Sequence, residues 1–281
     1  MPGLYKKEDF RDNCGFGLVA NINGVKSNQV IINSINALIS MTHRGGVGSD
    51  GKTGDGCGLL FDIDKKYFND VISQEQNIDL GEYFAIGQLF FSGDVLTILP
   101  KINKLLKSEN LQLITHRNVP VNRDILGKIA LDCIPNIYQL FIKSINESSN
   151  QDSFETSLIQ ARKFIEEIFM DDEKLYFCSM SSKTIVYKGL MLPNAIKEFY
   201  IDLNQDNFRA STCVFHQRFS TNTSPRWHLA QPFRLLAHNG EINAIRGNRN
   251  WVKARSSKFI TPHIPKIQQF KPVSYTHLRA H

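Results

Sequence analysis

The sequence predicts an α+β fold in which antiparallel strands and helices are segregated. Three observations lead to this class. Apolar side chains alternate with a period of two in several short runs, the first at residues 16–22, as is typical of strands. Residues 29–43 and 153–170 instead place apolar side chains at helical spacing. Several predicted strands follow one another between these helices, so antiparallel sheets fit better than alternating βαβ units.

Each element is predicted from its own pattern. The strand at 16–22 has apolar residues on both faces, so we expect it to be covered on both sides. Ser27 or Asn28 caps the first helix, and Gly45-Gly46 ends it. The other predicted elements are strands at 58–63, 83–91, 111–115, 134–142, 212–218 and 234–237, helices at 101–107 and 242–255, and a hairpin of strands 175–180 and 184–187.

Composition excludes several classes of protein. The chain has 281 residues, of which 42% are hydrophobic, as in a folded domain rather than a disordered one. No apolar run is long enough to predict a membrane span, and residues 1–13 lack the apolar core of a secretory signal. The five cysteines include no Cys-x-x-Cys pair, which argues against a zinc or cluster site. Their odd number without a secretion signal predicts a reducing compartment, the cytoplasm.

Positive charge is concentrated near the end of the chain. The net charge is +6, and residues 209–258 contain nine Lys or Arg but one acid, Glu241. Such an excess fits nucleic acid, an anionic substrate or an acidic partner domain. The charge alone does not choose among them.

One nucleotide-binding pattern is present but in the wrong context. Gly46, Gly51, Lys52 and Thr53 satisfy the phosphate-loop spacing, which must follow a strand and open a helix. Here a predicted helix precedes the loop and a predicted strand follows it. We therefore interpret the segment as a glycine-rich connection.

Cys14 is a candidate nucleophile that needs a base. Its ordinary pKa of about 8.5 leaves little thiolate at neutral pH. Cleavage between Asn13 and Cys14 would free an α-amino group with a pKa of about 7.7, which suits general-base work on the same residue. The alternative, which position alone favours, is a buried structural thiol.

A second candidate region lies at residues 213–251. Asn239-Gly240 supplies a side-chain amide and an unhindered N–H, which could hold a developing oxyanion. The same dipeptide also favours an ordinary type I′ turn. Arg218 could bind a carboxylate through two hydrogen bonds or form a surface salt bridge.

Several motifs together resemble the class II glutamine amidotransferase domain. They are CGFG at 14–17, HRGG at 43–46, TGDGCG at 53–58, HQRFSTNT at 216–223 and LAHNGEINAIRGN at 236–248. RNVPVNRDILG at 117–127, TIVYKGL at 184–190 and SPRWHLAQPFRLLAHNGEI at 224–242 are similar to the glutamate synthases within that family.

The resemblance implies a four-layer αββα sandwich, the N-terminal-nucleophile hydrolase fold. It implies that residues 1–13 are a propeptide and residues 14–273 the amidotransferase domain. Cys14 would attack the side-chain amide of L-glutamine, and Asn239 with Gly240 would form the oxyanion hole. The expected substrate-binding residues are Arg218, Phe219, Thr221, His238 and Glu241.

The resemblance also has implications beyond this chain. The complete synthase would hold FMN and an iron–sulfur cluster in further domains and work with a small electron-donating subunit, whereas no cofactor, nucleic acid or membrane is expected for these residues. We expect a cytoplasmic protein, or a plastid one in a photosynthetic source. The alternatives are another class II amidotransferase, phosphoribosyl- or hexosamine-forming, and a basic nucleic-acid-binding module.

Two departures from the family pattern stand out. Cys57 occupies a position where the family usually has alanine, which is a small change. Residues 274–281 do not fit the family and are expected to be a foreign tail. The aspartate that would hold the amino group of glutamine is therefore missing, and the chain by itself should be weakly active or inactive.

Overall fold

The computed structural model describes residues 15–146, 150–169, 175–217, 225–234 and 245–261. These residues form eight strands and seven α-helices. The strands are β1 Phe16–Ala20, β2 Cys57–Asp62, β3 Ala85–Phe91, β4 Leu111–Asn118, β5 Asn136–Ser144, β6 Leu175–Ser181, β7 Thr184–Gly189 and β8 Thr212–Gln217. The helices are α1 Asn28–Ser40, α2 Lys65–Gln76, α3 Leu99–Ser108, α4 Lys128–Leu131, α5 Gln151–Ile168, α6 Ile196–Phe199 and α7 Ile245–Arg255.

The strands form two antiparallel sheets of four. The first has the order β1-β8-β2-β7 and the second β4-β5-β3-β6, and every pair of neighbours is antiparallel. Helices α3 and α5 cover one face of the second sheet through an apolar cluster that includes Leu106, Leu158 and Leu140. The predicted α+β class with two antiparallel sheets is confirmed.

The expectation that β1 is covered on both faces is wrong for this structure. β1 is the edge strand of its sheet, and Phe16 and Leu18 are 46% and 61% exposed. Val19, on the opposite face, packs against the core. An edge strand has one neighbour, and α1 covers only one of its faces.

The predicted hairpin of residues 175–187 is also wrong. β6 pairs with β3 in the second sheet, whereas β7 pairs with β2 in the first. The short connection passes from one sheet to the other and is held by the Ser182 N–H and the Ser181 hydroxyl, which both donate to the Glu155 carboxylate of α5. Local alternation predicted both strands but could not show which partners they take.

Other differences concern helices and one strand. α2 was not predicted because its only fully buried residues, Tyr67, Phe68 and Ile72, give a weak apolar stripe. α1 ends at Ser40, and a 3₁₀ turn follows at Thr42–Arg44. Of the predicted strand at 234–237, Arg234 lies outside any strand, and the remaining residues are outside the described ranges.

A buried polar network joins the two sheets. Arg117 of β4 donates to Asp202 at 2.5 Å and to Gln139 of β5 at 2.7 Å. The hydroxyls of Tyr187 in β7 and Tyr67 in α2 donate to the same carboxylate at 2.8 and 3.0 Å. Because every oxygen of the buried Asp202 side chain is paired, the network can fasten β7 to the second sheet without an uncompensated charge.

Candidate active site

The residues proposed from the sequence to act on a substrate all lie outside the described ranges. They are Cys14, Arg218, Phe219, Thr221, His238, Asn239, Gly240 and Glu241. Each of these site residues nevertheless lies in a segment that adjoins described residues along the chain. Gly15 follows Cys14, Gln217 precedes Arg218, and residues 225–234, here called the linking segment, connect the two later segments.

β1 and β8 bring two of these borders together at one end of the first sheet. Phe16 pairs with His216, and the Gln217 N–H donates to the Gly15 carbonyl at 2.6 Å. In an antiparallel pair, the start of one strand lies beside the end of the other. The chain therefore leaves this ladder toward Cys14 on one strand and toward Arg218 on its neighbour.

Two glycine-rich motifs that are distant in sequence converge on this end of β8. In HRGG, Gly45 lies so close to Gln217 that a side chain at Gly45 would overlap the Gln217 carboxamide. In TGDGCG, the Asp55 N–H donates to the Gly46 carbonyl at 3.2 Å. The Asp55 carboxylate also borders Gly45. The sequence establishes only the order of HRGG, TGDGCG and HQRFSTNT along the chain. In the structure all three meet around the buried side-chain amide of Gln217.

Gln217 is a residue that reasoning from the sequence missed. Its side chain is fully buried, yet neither Oε1 nor Nε2 has a hydrogen-bond partner in the described part of the chain. Leaving a buried polar group unpaired costs about 1–3 kcal/mol, so each case calls for an explanation. The available signal was its position beside Arg218 in HQRF.

The four described cysteines are poor candidates for a nucleophile. Burial raises the pKa of Cys178 and of Cys213 to about 12. Burial, with a smaller effect of Asp55, also raises the pKa of Cys57. Cys133 is exposed, but partial burial raises the pKa of its thiol too. Since only a thiolate attacks efficiently, none of these four cysteines is favoured as the nucleophile, and Cys14 lies outside the described residues.

The phosphate-loop pattern has a structural role. Asp50 accepts hydrogen bonds from the Thr53 N–H and hydroxyl at 2.8 and 2.7 Å and from the Ile129 N–H of α4 at 3.0 Å. These bonds, the Thr53 hydroxyl first, lower the pKa of Asp50. The loop leads into β2 rather than a helix. Its Thr53 hydroxyl, already engaged by Asp50, is not available to a metal-bound phosphate.

The linking segment is held to the sheets by several side chains. Trp227 is buried, and its Nε1 donates to a main-chain carbonyl of α4 at 3.1 Å. Lys188 of β7 donates to the His228 carbonyl at 2.9 Å. Arg234 pairs with Glu166 of α5 at 3.6 Å. The two segments predicted to carry Arg218 and Asn239 therefore start from an anchored stretch of chain.

Comparison with known proteins identifies the family. The model of the class II glutamine amidotransferases matches residues 14–278. The chain belongs to the class II glutamine amidotransferases. It is 41% identical over 267 residues to ferredoxin-dependent glutamate synthase 1, chloroplastic/mitochondrial, of Arabidopsis thaliana. It is 39% identical over 265 residues to the glutamate synthase [NADPH] large chain of Bacillus subtilis and 37% identical over 276 residues to that of Azospirillum brasilense.

These alignments cover most of this amidotransferase chain but little of the relatives. They include 91%, 92% and 96% of this chain, and 16%, 17% and 18% of the three relatives, respectively. Within the described ranges, no helix is long and apolar enough to cross a membrane. A search of the same residues finds no group of three or more His, Cys, Asp or Glu side chains that could hold a metal ion.

Proposed function

We propose that this amidotransferase chain is the glutaminase domain of a glutamate synthase large subunit. It would hydrolyse L-glutamine to glutamate and ammonia. The observation that supports the proposal is the family match beginning at residue 14, together with the β1–β8 ladder that brings together Gly15 and Gln217, the chain neighbours of Cys14 and Arg218.

Cys14 would be the nucleophile after removal of residues 1–13. Its freed α-amino group takes the thiol proton, the sulfur forms a bond to the side-chain carbonyl carbon of glutamine, and the C–N bond breaks. The amine returns the proton to the departing ammonia. Water then adds to the thioester carbon, glutamate leaves, and the thiol regains a proton.

The remaining predicted residues would bind the substrate and its transition state. The Asn239 amide and the Gly240 N–H donate to the oxyanion. Arg218 forms a bidentate pair with the glutamine carboxylate. Phe219 and Thr221 line the same pocket, with His238 and Glu241 beside the oxyanion donors.

In the complete protein the ammonia would serve glutamate synthesis from 2-oxoglutarate. The resemblance implies FMN and an iron–sulfur cluster for that step, held by domains outside this chain, and a separate electron donor. The names of the relatives contain ferredoxin or NADPH, and either would be compatible with this proposal as the electron donor. We place the protein in the cytoplasm, or in a plastid if its source has one, as the name of the Arabidopsis relative suggests.

The proposed domain organisation is a propeptide at 1–13, the amidotransferase domain at 14–273 and a foreign tail at 274–281. The family match extends to residue 278, beyond the proposed start of the tail. Neither other class II amidotransferases nor nucleic-acid binding is favoured, because the relatives described above are glutamate synthases.

The proposal is tested by measuring processing and hydrolysis together. The chain is expressed alone and within a full-length synthase polypeptide, and intact mass shows whether residues 1–13 are removed. Glutamate and ammonia released from glutamine are then quantified. Processed full-length protein that releases neither product would overturn the proposal. Strong activity of the 281-residue chain alone would instead contradict only the expectation that a substrate-binding aspartate is missing.

A further inference from the structure

Lys188 is a buried lysine in the TIVYKGL motif that the proposed chemistry does not use. It lies on β7 and is fully buried. It pairs with Gly58 of β2, which pairs with His216 of β8, which pairs with Phe16 of β1. Directly paired residues share a face of the sheet. Lys188 therefore lies in the cross-strand row that ends at Phe16, the first residue of β1 and two residues after Cys14 in the chain.

The Lys188 ammonium contacts both ends of one stretch of the linking segment. Its Nζ donates to the His228 carbonyl at 2.9 Å and lies 4.9 Å from the centre of the Phe233 ring. It also donates to the Tyr176 hydroxyl at 3.3 Å and lies 4.7 Å from that ring. No carboxylate among the described residues forms an ion pair with it.

Gly58 makes this arrangement possible. A Cβ at Gly58 would lie 2.5 Å from the Lys188 Cβ and 2.6 Å from the Gln231 carbonyl oxygen. The lysine stem and the linking segment therefore both pack directly over the bare backbone of β2. Any larger residue at position 58 would push them apart.

A buried cation without an ion-pair partner among the described residues is an expensive way to hold a loop. Burial, together with repulsion from Arg234, lowers the pKa of Lys188 to about 7. A methionine would fill similar volume without that desolvation cost. Stability alone therefore does not explain a lysine at position 188. The alternative is a role through the two segments that the linking segment connects.

We propose that Lys188 is a positioning residue for the glutaminase site. By binding His228 and Phe233 it fixes the linking segment, and with it the separation of the two segments that carry Arg218 and Asn239. The inference rests on the proposed glutaminase function. A charge-assisted hydrogen bond to the His228 carbonyl and a cation–π contact with Phe233 hold the segment more tightly than a neutral amine would.

Several other titratable groups surround the ammonium and must be considered in any pH profile. They are the Tyr176 hydroxyl and Cys178 thiol of β6, the His228 and Arg234 side chains of the linking segment, and Glu166 of α5 beside Arg234. Burial raises the pKa of the Tyr176 hydroxyl above its ordinary value and the pKa of Cys178 to about 12, so neither titrates near neutrality.

The test compares Lys188→Met and Lys188→Gln with the wild type in a full-length synthase polypeptide. Lys183→Met, at an exposed lysine of the β6–β7 connection, is the matched control. For Lys188→Met we expect complete removal of residues 1–13 and an unchanged or higher unfolding temperature. We also expect a fall of about 10- to 100-fold in kcat/KM for glutamine, because small misplacements of reacting groups have effects of this size. Lys188→Gln, which keeps a donor for His228, should recover part of the loss.

Two further readouts separate positioning from a merely structural role. Backbone hydrogen exchange in residues 225–234 should be faster in Lys188→Met than in the wild type or in Lys183→Met. The pH profile of kcat/KM should lose a group with a pKa of about 7. Wild-type kcat/KM in Lys188→Met, or a loss no larger than its unfolded fraction, would overturn the inference. A wild type that cannot hydrolyse glutamine at all would instead refute the proposed function.

Discussion

Gly45 lies against the side-chain amide of Gln217, with no space for a Cβ between them. This contact joins the HRGG motif to the end of β8, across more than half of the chain. Neither residue was predicted to act on a substrate, yet Gln217 directly precedes Arg218, which was. Substitutions at Gly45 and Gln217 therefore test whether the HRGG motif packs against the end of β8.

Replacing Gly45 with alanine should destabilise the fold. The new methyl group overlaps the Gln217 carboxamide, and overpacking of this kind typically costs about 1–3 kcal/mol. Gly46→Ala is the control, because its Cβ would lie 3.5 Å from the nearest atom, an Asp55 oxygen. The free energy of unfolding in urea measures both effects.

The Gln217→Ala change supplies the second arm of the Gly45 experiment. This change removes the carboxamide that the methyl group of Gly45→Ala would overlap. The double variant should therefore lose less stability than the sum of the losses in the two single variants. Purely additive effects would show that Gly45 and Gln217 are not in contact in the folded protein.

Cys14→Ala should abolish glutamine hydrolysis and labelling by an electrophilic glutamine analogue. The reason is that the four described cysteines have raised thiol pKa values and are poor nucleophiles. Cys133→Ala, at the exposed thiol, should leave both properties unchanged. Mass spectrometry of the labelled full-length protein locates the adduct, and an adduct retained in Cys14→Ala would rule out the assignment.

Arg117→Met should be strongly destabilising. The change leaves the Asp202 carboxylate buried without its cation, and breaking such a pair costs about 3–5 kcal/mol. Arg123→Met, at an arginine whose side chain makes an exposed hydrogen bond to Asn136 and no other among the described residues, should change stability by less than about 0.5 kcal/mol.

A double variant tests the ion pair between Arg117 and Asp202 more strictly. Replacing Asp202 with leucine as well removes the stranded charge, so the pair of changes should cost less than the sum of the single ones. Chemical denaturation of all four forms gives the comparison. Additive costs would mean that the 2.5 Å contact contributes no coupling between the sheets.

Asp62 should make stability depend on acid pH. Burial acts to raise its pKa, but the Lys26 ammonium and the N–H groups of Thr212 and Ser211 outweigh it, so the pKa is lowered. A carboxylate with a lowered folded-state pKa stabilises the protein above its unfolded-state value of about 3.9. That contribution is lost as the pH falls through the folded-state pKa.

Asp62→Asn tests this sign. The variant should be less stable than the wild type at pH 7 by about 1–3 kcal/mol, since hydrogen bonds to a charged group are weakened. The difference should shrink toward zero under acid conditions. Thermal unfolding from pH 7 down to about pH 2, well below the unfolded-state pKa of about 3.9, provides the measurement, and a pH-independent difference would exclude the carboxylate charge as its cause.

The sequence by itself determined the local elements, the family and the order of the motifs. Strands at 58–63 and 212–218 and the helix at 153–170 follow from the periodicity of their own residues, and their observed counterparts β2, β8 and α5 differ by only a residue or two at each end. The role of Cys14 as the nucleophile came from the resemblance of its motifs to the family rather than from periodicity, and it stays a prediction.

Only the tertiary structure decided which distant residues meet. The partners of β6 and β7 lie in different sheets, and alternation within a strand carries no information about its neighbours. Gln217, Lys188 and Asp202 likewise look unremarkable as single letters. Their properties arise when folding removes water from a polar group and sets its partners, and that depends on packing between segments that are far apart in the chain.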